Sequence, residues 1–227
     1  MPVPEVDGHS GDLVAALEAL ARITGESGLT SWLGSAEREL QGVDAARVSD
    51  WLERTPAGGD ALKAALVVKR VAGQINVIVH ALGILTSLPY ILEPGETVES
   101  LSLGAGNTGR DHDLTTNIRI AEFKFIEWRG GPETIRQNGL FADLFNLVAD
   151  PMRRRKLLYV VGLSQPLRFL TNRRALTSVM SRNSHLAKRF HDRYDDRFTT
   201  VRDYYESIRD QVEIVDLATI VPGLALS

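Results

Sequence analysis

The chain has 227 residues, 44% of them hydrophobic and 24% charged, with a formal net charge of −3; this is the balance of one soluble globular domain, or of a domain with a small appendage. It excludes a largely disordered chain, a fibrous repeat and a multi-span membrane protein. The absence of cysteine excludes disulfides, zinc ribbons and iron–sulfur clusters.

The small net charge conceals an asymmetry. Residues 1–150 carry 12 Lys/Arg against 21 Asp/Glu, whereas residues 151–209 carry 14 against 5. Two explanations stand side by side: a polyanion-facing surface and a set of solvated Arg-rich helices. The N-terminus holds Glu5, Asp7 and Asp12 and no basic, apolar signal region, so the expected location is cytoplasmic.

In chain order, the first 55 residues read as short helices, with Leu13, Leu17 and Leu20 and then Val48, Trp51 and Leu52 at helical spacing. The Thr-Pro-Ala-Gly-Gly break at 55–59, with Asp60 as a helix cap, sets off residues 1–59 as a helical appendage from a domain spanning 60–227. Residues 61–88 form a long apolar helix without charge from Val71 to Leu92. Its length raises a membrane span. The polar residues Gln74, Asn76, His80, Thr86 and Ser87, and Pro89 as a stop, favour a helix buried against a sheet instead.

Alternation in 97–103 (TVESLSL) and 118–126 (IRIAEFKFI) then predicts strands, with a third at 111–116 and a tight turn at Thr116 and Asn117. After a Gly-Gly-Pro break, Leu140, Phe141, Leu144, Phe145 and Val148 mark a helix. Residues 156–163 (KLLYVVGL) read as a buried strand, 166–210 as Arg-rich helices, and 212–217 as a last strand. The expected class is therefore α/β, with an α-β-β-β-α-β core, a mixed central sheet and added C-terminal helices.

Glu122 and Lys124 lie two apart on the 118–126 strand, so their side chains share one face, about 6.6 Å apart at the backbone. An antiparallel turn brings Asp111 or Asp113 opposite Glu122, and strand parity does not choose between them. Converging carboxylates repel unless a cation lies between, and oxygen donors without cysteine suit Mg²⁺ or Mn²⁺. A lysine beside such a cation positions water and stabilises charge on phosphorus. The plain alternative is a surface strand with an ordinary Glu–Lys pair.

The E-x-K triplet on the third strand of this order, with Asp at the end of the second, resembles the PD-(D/E)xK, or restriction-endonuclease-like, nuclease superfamily over about residues 61–163. The helix that follows carries Gln137 and Phe141 where the RecB-like branch has Gln-x-x-x-Tyr. The resemblance implies that Asp113, Glu122 and the Phe123 carbonyl bind one or two Mg²⁺ (or Mn²⁺) ions. It also implies that Lys124 orients or activates the attacking water, and that Gln137 holds the catalytic end of the sheet or a substrate phosphate. Asp111 and Glu99 remain further acidic candidates. The implied activity is metal-dependent hydrolysis of phosphodiester bonds, with DNA ahead of RNA as substrate. The alternative is a non-catalytic nucleic-acid-binding module of the same fold. Arg110, Arg136, Arg153, Arg154, Arg155, Arg173 and Arg174 are the expected phosphate contacts. No membrane partner is expected, and a protein partner or a homodimer is left open.

Other signals carry less. Gly104, Gly106 and Gly109 match a dinucleotide fingerprint, but a polar, strand-like segment follows where a helix should receive the pyrophosphate. A hairpin near the metal is the better reading. His112-Asp113 and His191-Asp192 are isolated His-Asp pairs, and His80 reads as a hydrogen-bonded core histidine. Phe190, Tyr194 and Phe198 at helical spacing favour packing over base stacking.

Overall fold

The computed structural model describes residues 9–24, 28–104, 111–125, 128 and 133–224. The chain divides into two compact units, Met1–Asn76 and Val77–Ser227. This division falls inside a helix, later than the break at 55–59.

The first unit is helical: α1 (His9–Thr24), α2 (Leu29–Leu40), α3 (Ala45–Arg54) and the opening turns of α4 (Gly59–Ile91). Asp44 caps α3 by accepting the Arg47 N–H at 3.0 Å. Trp32 and Trp51 lie 6.2 Å apart, and the Trp51 indole N–H donates to Glu39. Neither α2 nor α3 buries a residue fully, so this unit is thinly packed.

The second unit is a mixed α/β fold around a five-stranded sheet in the order β1-β2-β3-β4-β5. The strands are β1 (Val98–Leu101), β2 (Leu114–Thr116), β3 (Arg119–Lys124), β4 (Arg155–Val160) and β5 (Glu213–Asp216). The β1-β2-β3 meander is antiparallel, while β4 runs parallel to β3 and β5 parallel to β4. Helix α5 (Thr134–Ala149) joins β3 to β4. Four helices, α6 (Ser164–Leu170), α7 (Leu176–Met180), α8 (Ser184–Tyr194) and α9 (Val201–Ile208), connect β4 to β5. The order α4-β1-β2-β3-α5-β4 is the one the periodicity predicts.

Two apolar layers enclose the sheet. On one face Leu114, Ala121, Phe123, Leu157 and Tyr159 pack against Ile84, Leu88 and Ile91 of α4 and against Leu217 and Val221. On the other, Ile120, Leu158 and Val160 meet Leu140, Phe141, Leu144 and Val148 of α5, with α6–α9 behind. Phe141, Phe145, Phe190, Tyr194 and Tyr204 form one aromatic cluster there, so the rings among the arginines are core. Strand β3 is consequently buried on both faces, which alternating polarity alone does not anticipate.

Two expectations for the long helix need correcting. Pro89 does not stop it, because it occupies the last turn and the helix continues to Ile91. Nor is most of the charge-free stretch covered by the sheet. Within the second unit Ile84, Ser87 and Ile91 are buried, whereas Ile78, Leu82 and Leu85 are exposed. A helix of 33 residues spans roughly 50 Å, far more than the sheet can cover. By length and composition it is also long and apolar enough to cross a membrane.

At Gly83 α4 approaches the sheet so closely that an added Cβ would lie 2.5–2.6 Å from ring carbons of Phe125. Gly83→Ala should therefore destabilise the fold by about 1–3 kcal/mol despite its better helix propensity. Gly73→Ala, with nothing within 4 Å, should gain up to about 1 kcal/mol. Urea unfolding of the two variants checks this; equal shifts would show that the helix does not seat on Phe125.

Candidate active site

The register pairs Leu114 with Ala121 and Thr115 with Ile120. One step further, beyond the start of β2, Asp113 comes opposite Glu122. There the Asp113 side chain replaces the missing ladder partner, its Oδ2 accepting the Phe123 N–H at 3.0 Å. A residue's N–H and C=O leave a strand on the same edge, so the Phe123 carbonyl also faces this opening. Asp113 Oδ1 lies 3.3 Å from Nε2 of His80 on α4. Burial by itself would raise the Asp113 carboxyl, but the His80 and Phe123 contacts outweigh it and hold the group below the usual carboxylate range.

Glu122 is 7% exposed. Its Oε1 lies 3.1 Å from His112 Nδ1, and His112 Nε2 lies 3.0 Å from Oδ2 of Asp150, the C-cap residue of α5. Burial pushes the Glu122 carboxyl up to about 7; the charges of Asp143 and Asp113 add to the rise, while His112 and Lys124 oppose it. Burial lowers His112, yet its two carboxylate partners raise it overall.

The Lys124 ammonium contacts Asp143 Oδ2 on α5 at 2.5 Å. That oxygen accepts no hydrogen bond of regular geometry, so the contact is an ion pair. Burial would lower the lysine, but the Asp143 charge outweighs it and keeps Lys124 protonated.

Asp113, Glu122 and Lys124 thus gather at one end of β3, together with three residues the sequence reading did not place there: His80, His112 and Asp143. Asp143 had a legible signal. It lies between Leu140 and Leu147 at helical spacing, a lone acid on a stripe that becomes core, and a buried charge requires a partner. His80 is the hydrogen-bonded histidine expected, but its partner is a candidate site residue.

The remaining candidates distribute differently. Asp111 is exposed, whereas Asp113 is the aspartate that lies in the cluster. Glu99 is exposed on β1 and paired with Arg154 at 2.6 Å, away from the cluster. Gln137, in the first turns of α5, accepts a hydrogen bond from Arg174. Arg154 also donates to the Thr116 carbonyl, and Arg155 is ion-paired with Glu93 and Glu213. Arg155 pairs with Arg119 in the ladder, five residues or about 16 Å along the strand from Lys124. Both arginines are therefore fastened at the far end of the sheet. Arg153 and Arg173 are exposed, and Arg136 is paired with Glu133. Arg110 and the 105–110 loop lie outside the described residues.

Among the described residues, one group of three donors has its ligand atoms mutually within 4.8 Å: the exposed His191, Asp195 and Asp196 at the C-terminal end of α8. The Asp113–Glu122 cluster forms no such cage. Mg²⁺ commonly takes one or two carboxylates and keeps several waters, so two acids and a carbonyl suffice as donors. Their chemistry fits a cation: Glu122 is held at about 7 partly by neighbouring carboxylates, a repulsion that a bound cation relieves. No family model, curated protein or solved structure matches this chain.

The raised Glu122 and His112 values predict how stability varies with pH. Glu122 moves from an ordinary 4.5 to about 7. Its contribution is complete below pH 4.5 and is lost as pH rises through 7; His112, raised from 6.5, acts in the same direction. The melting temperature of metal-free protein should fall between pH 5 and 8, and Glu122→Gln should flatten that slope. A divalent cation should raise Tm more at pH 8 than at pH 5.5. A wild-type slope that Glu122→Gln leaves unchanged would remove Glu122 from the account.

Proposed function

We propose that the protein is a metal-dependent nuclease of the PD-(D/E)xK type, hydrolysing phosphodiester bonds in nucleic acid, with DNA ahead of RNA. The observation that carries this reading is the convergence of Asp113, Glu122 and Lys124 at one end of β3, on an α-β-β-β-α-β order.

Asp113, Glu122 and the Phe123 carbonyl would hold the cation, Mg²⁺ or Mn²⁺, which supplies a bound water of lowered pKa and Lewis-acid stabilisation of the phosphate. Despite burial, the Asp143 charge raises the Lys124 pKa, which favours a hydrogen-bond donor over a general base. Lys124 acts by donating Nζ–H bonds to the attacking water or to a non-bridging phosphate oxygen, where charge accumulates. Asp143 keeps it charged and aimed. Gln137, in the first turns of α5, accepts a hydrogen bond from Arg174, and the exposed Arg173, which lines a surface pocket with Thr200, Arg202, Asp203 and Glu206, is available for contact with a nucleic-acid backbone.

One observation favours the second reading, a non-catalytic nucleic-acid-binding module. Both Asp113 oxygens and the Lys124 ammonium have partners within the protein, as structural charges do. The deciding test is incubation with single- and double-stranded DNA and RNA in Mg²⁺, Mn²⁺ or EDTA. Glu122→Ala and Lys124→Ala should each abolish metal-dependent cleavage while the fold persists by circular dichroism. Salt-sensitive binding without cleavage would select the binding module.

The arginine positions give a second test. In oligonucleotide binding measured against salt concentration, Arg173→Ala should reduce the log–log slope by about 0.9, the value of one lost phosphate contact. Arg155→Ala should leave the slope unchanged. The reverse result would put the nucleic acid at the far end of the sheet.

A further inference from the structure

Glu122 is held by a side chain outside the E-x-K strand that is itself held from a third element. Its Oε1 meets His112 Nδ1 at 3.1 Å, and the other ring nitrogen meets Asp150 Oδ2 at 3.0 Å. Asp150 is itself fixed: its Oδ1 accepts the Met152 N–H at 2.7 Å, and its own N–H donates to the Asn146 carbonyl at 3.0 Å. The result is a continuous line from the C-terminus of α5 through a histidine only 5% exposed to the strand carboxylate. Both imidazole nitrogens are engaged by carboxylates, at 3.1 and 3.0 Å, so His112 is placed to hold Glu122 rather than to bind a cation itself.

We propose that His112 is a positioning residue, held by Asp150, that fixes the Glu122 carboxylate through Oε1 and leaves Oε2 to face the divalent cation. This rests on the metal-site reading above. A glutamate has three side-chain torsions, and an unanchored carboxylate must be ordered each time it binds a cation. An outer partner removes that cost in advance, and losing such a partner typically weakens metal affinity about ten- to a hundredfold. Without this arrangement the neighbouring acids would also turn Glu122 away from the site, since the carboxylates repel one another.

Two substitutions separate positioning from packing. His112→Asn places an amide N–H near the Nδ1 position and keeps the bond to Glu122. His112→Gln places it near Nε2, keeping the bond to Asp150 and losing Glu122. Mn²⁺ affinity is measured by calorimetry and by the electron paramagnetic resonance of free Mn²⁺, with folding followed by circular dichroism. His112→Gln should lose about ten- to a hundredfold in Mn²⁺ affinity, and His112→Asn should recover most of it. Asp150→Asn, which keeps the shape but weakens the anchor, should lose affinity in the same direction by a smaller factor, and it decides the matter if His112→Gln does not fold. Unchanged affinity in His112→Gln, equal losses in the two His112 variants, or wild-type affinity in Asp150→Asn where that variant decides, would overturn the inference while leaving the metal site intact. A wild-type protein that binds no Mn²⁺ would overturn the metal-site reading and this inference together.

Discussion

Strand β3 is buried on both faces and yet carries three ionisable side chains in six residues, Arg119, Glu122 and Lys124. Each must be matched from elsewhere, because an uncompensated buried charge costs several kcal/mol. Arg119, 2% exposed, donates through Nε and Nη2 to Glu96 at 2.6 and 2.5 Å and through Nη1 to the Tyr159 hydroxyl at 2.9 Å. Glu122 is matched through His112 to Asp150, and Lys124 by Asp143. The partners come from the segment before β1, the lead into β2, strand β4 and helix α5. Satisfying one strand therefore ties together every element around it.

The two ends of that strand are satisfied differently. At the Arg119 end, burial tends to raise the Glu96 carboxyl, and the Arg119 and Thr116 hydrogen bonds overcome it and hold it low. This is a structural clamp. At the Lys124 end, burial and the charges of Asp143 and Asp113 outweigh His112 and Lys124, and Glu122 is pushed up to about 7. Strongly perturbed groups of this kind gather where chemistry is done, although structural networks also produce them. That contrast within one strand marks the Lys124 end as the candidate site.

Much of this was legible in the sequence. The change of period from helix to strand and back gave the element order, because β-spacing and helix-spacing differ enough to be read in short windows. The E-x-K parity put Glu122 and Lys124 on one face. What sequence could not supply were partners distant in the chain: His80, 33 residues before Asp113, and Asp143 and Asp150, which reach the strand only once α5 folds back over it. The choice between Asp111 and Asp113 was also out of reach, since both have the same parity and only the register of β2 separates them. The long helix misled for a related reason: hydropathy reports that a segment is apolar, not how much sheet is available to cover it.

The charge asymmetry shows why a charge count is not a surface. The acidic excess before residue 150 and the basic excess after it meet each other in the fold, because β1 and its lead-in lie near the start of β4. Glu93 takes Arg155, Glu99 takes Arg154, and Lys156 turns inward to the carbonyls of Val148 and Asp150. Three of the four bases at 153–156 are thus consumed internally, although their density made them the most conspicuous polyanion signal. The remaining bases are sparser, and Arg174 bonds to Gln137 while Arg173 lies with Thr200, Arg202, Asp203 and Glu206. The folding of one half of the charge against the other therefore consumes most of the basic run that made the sequence look polyanion-facing.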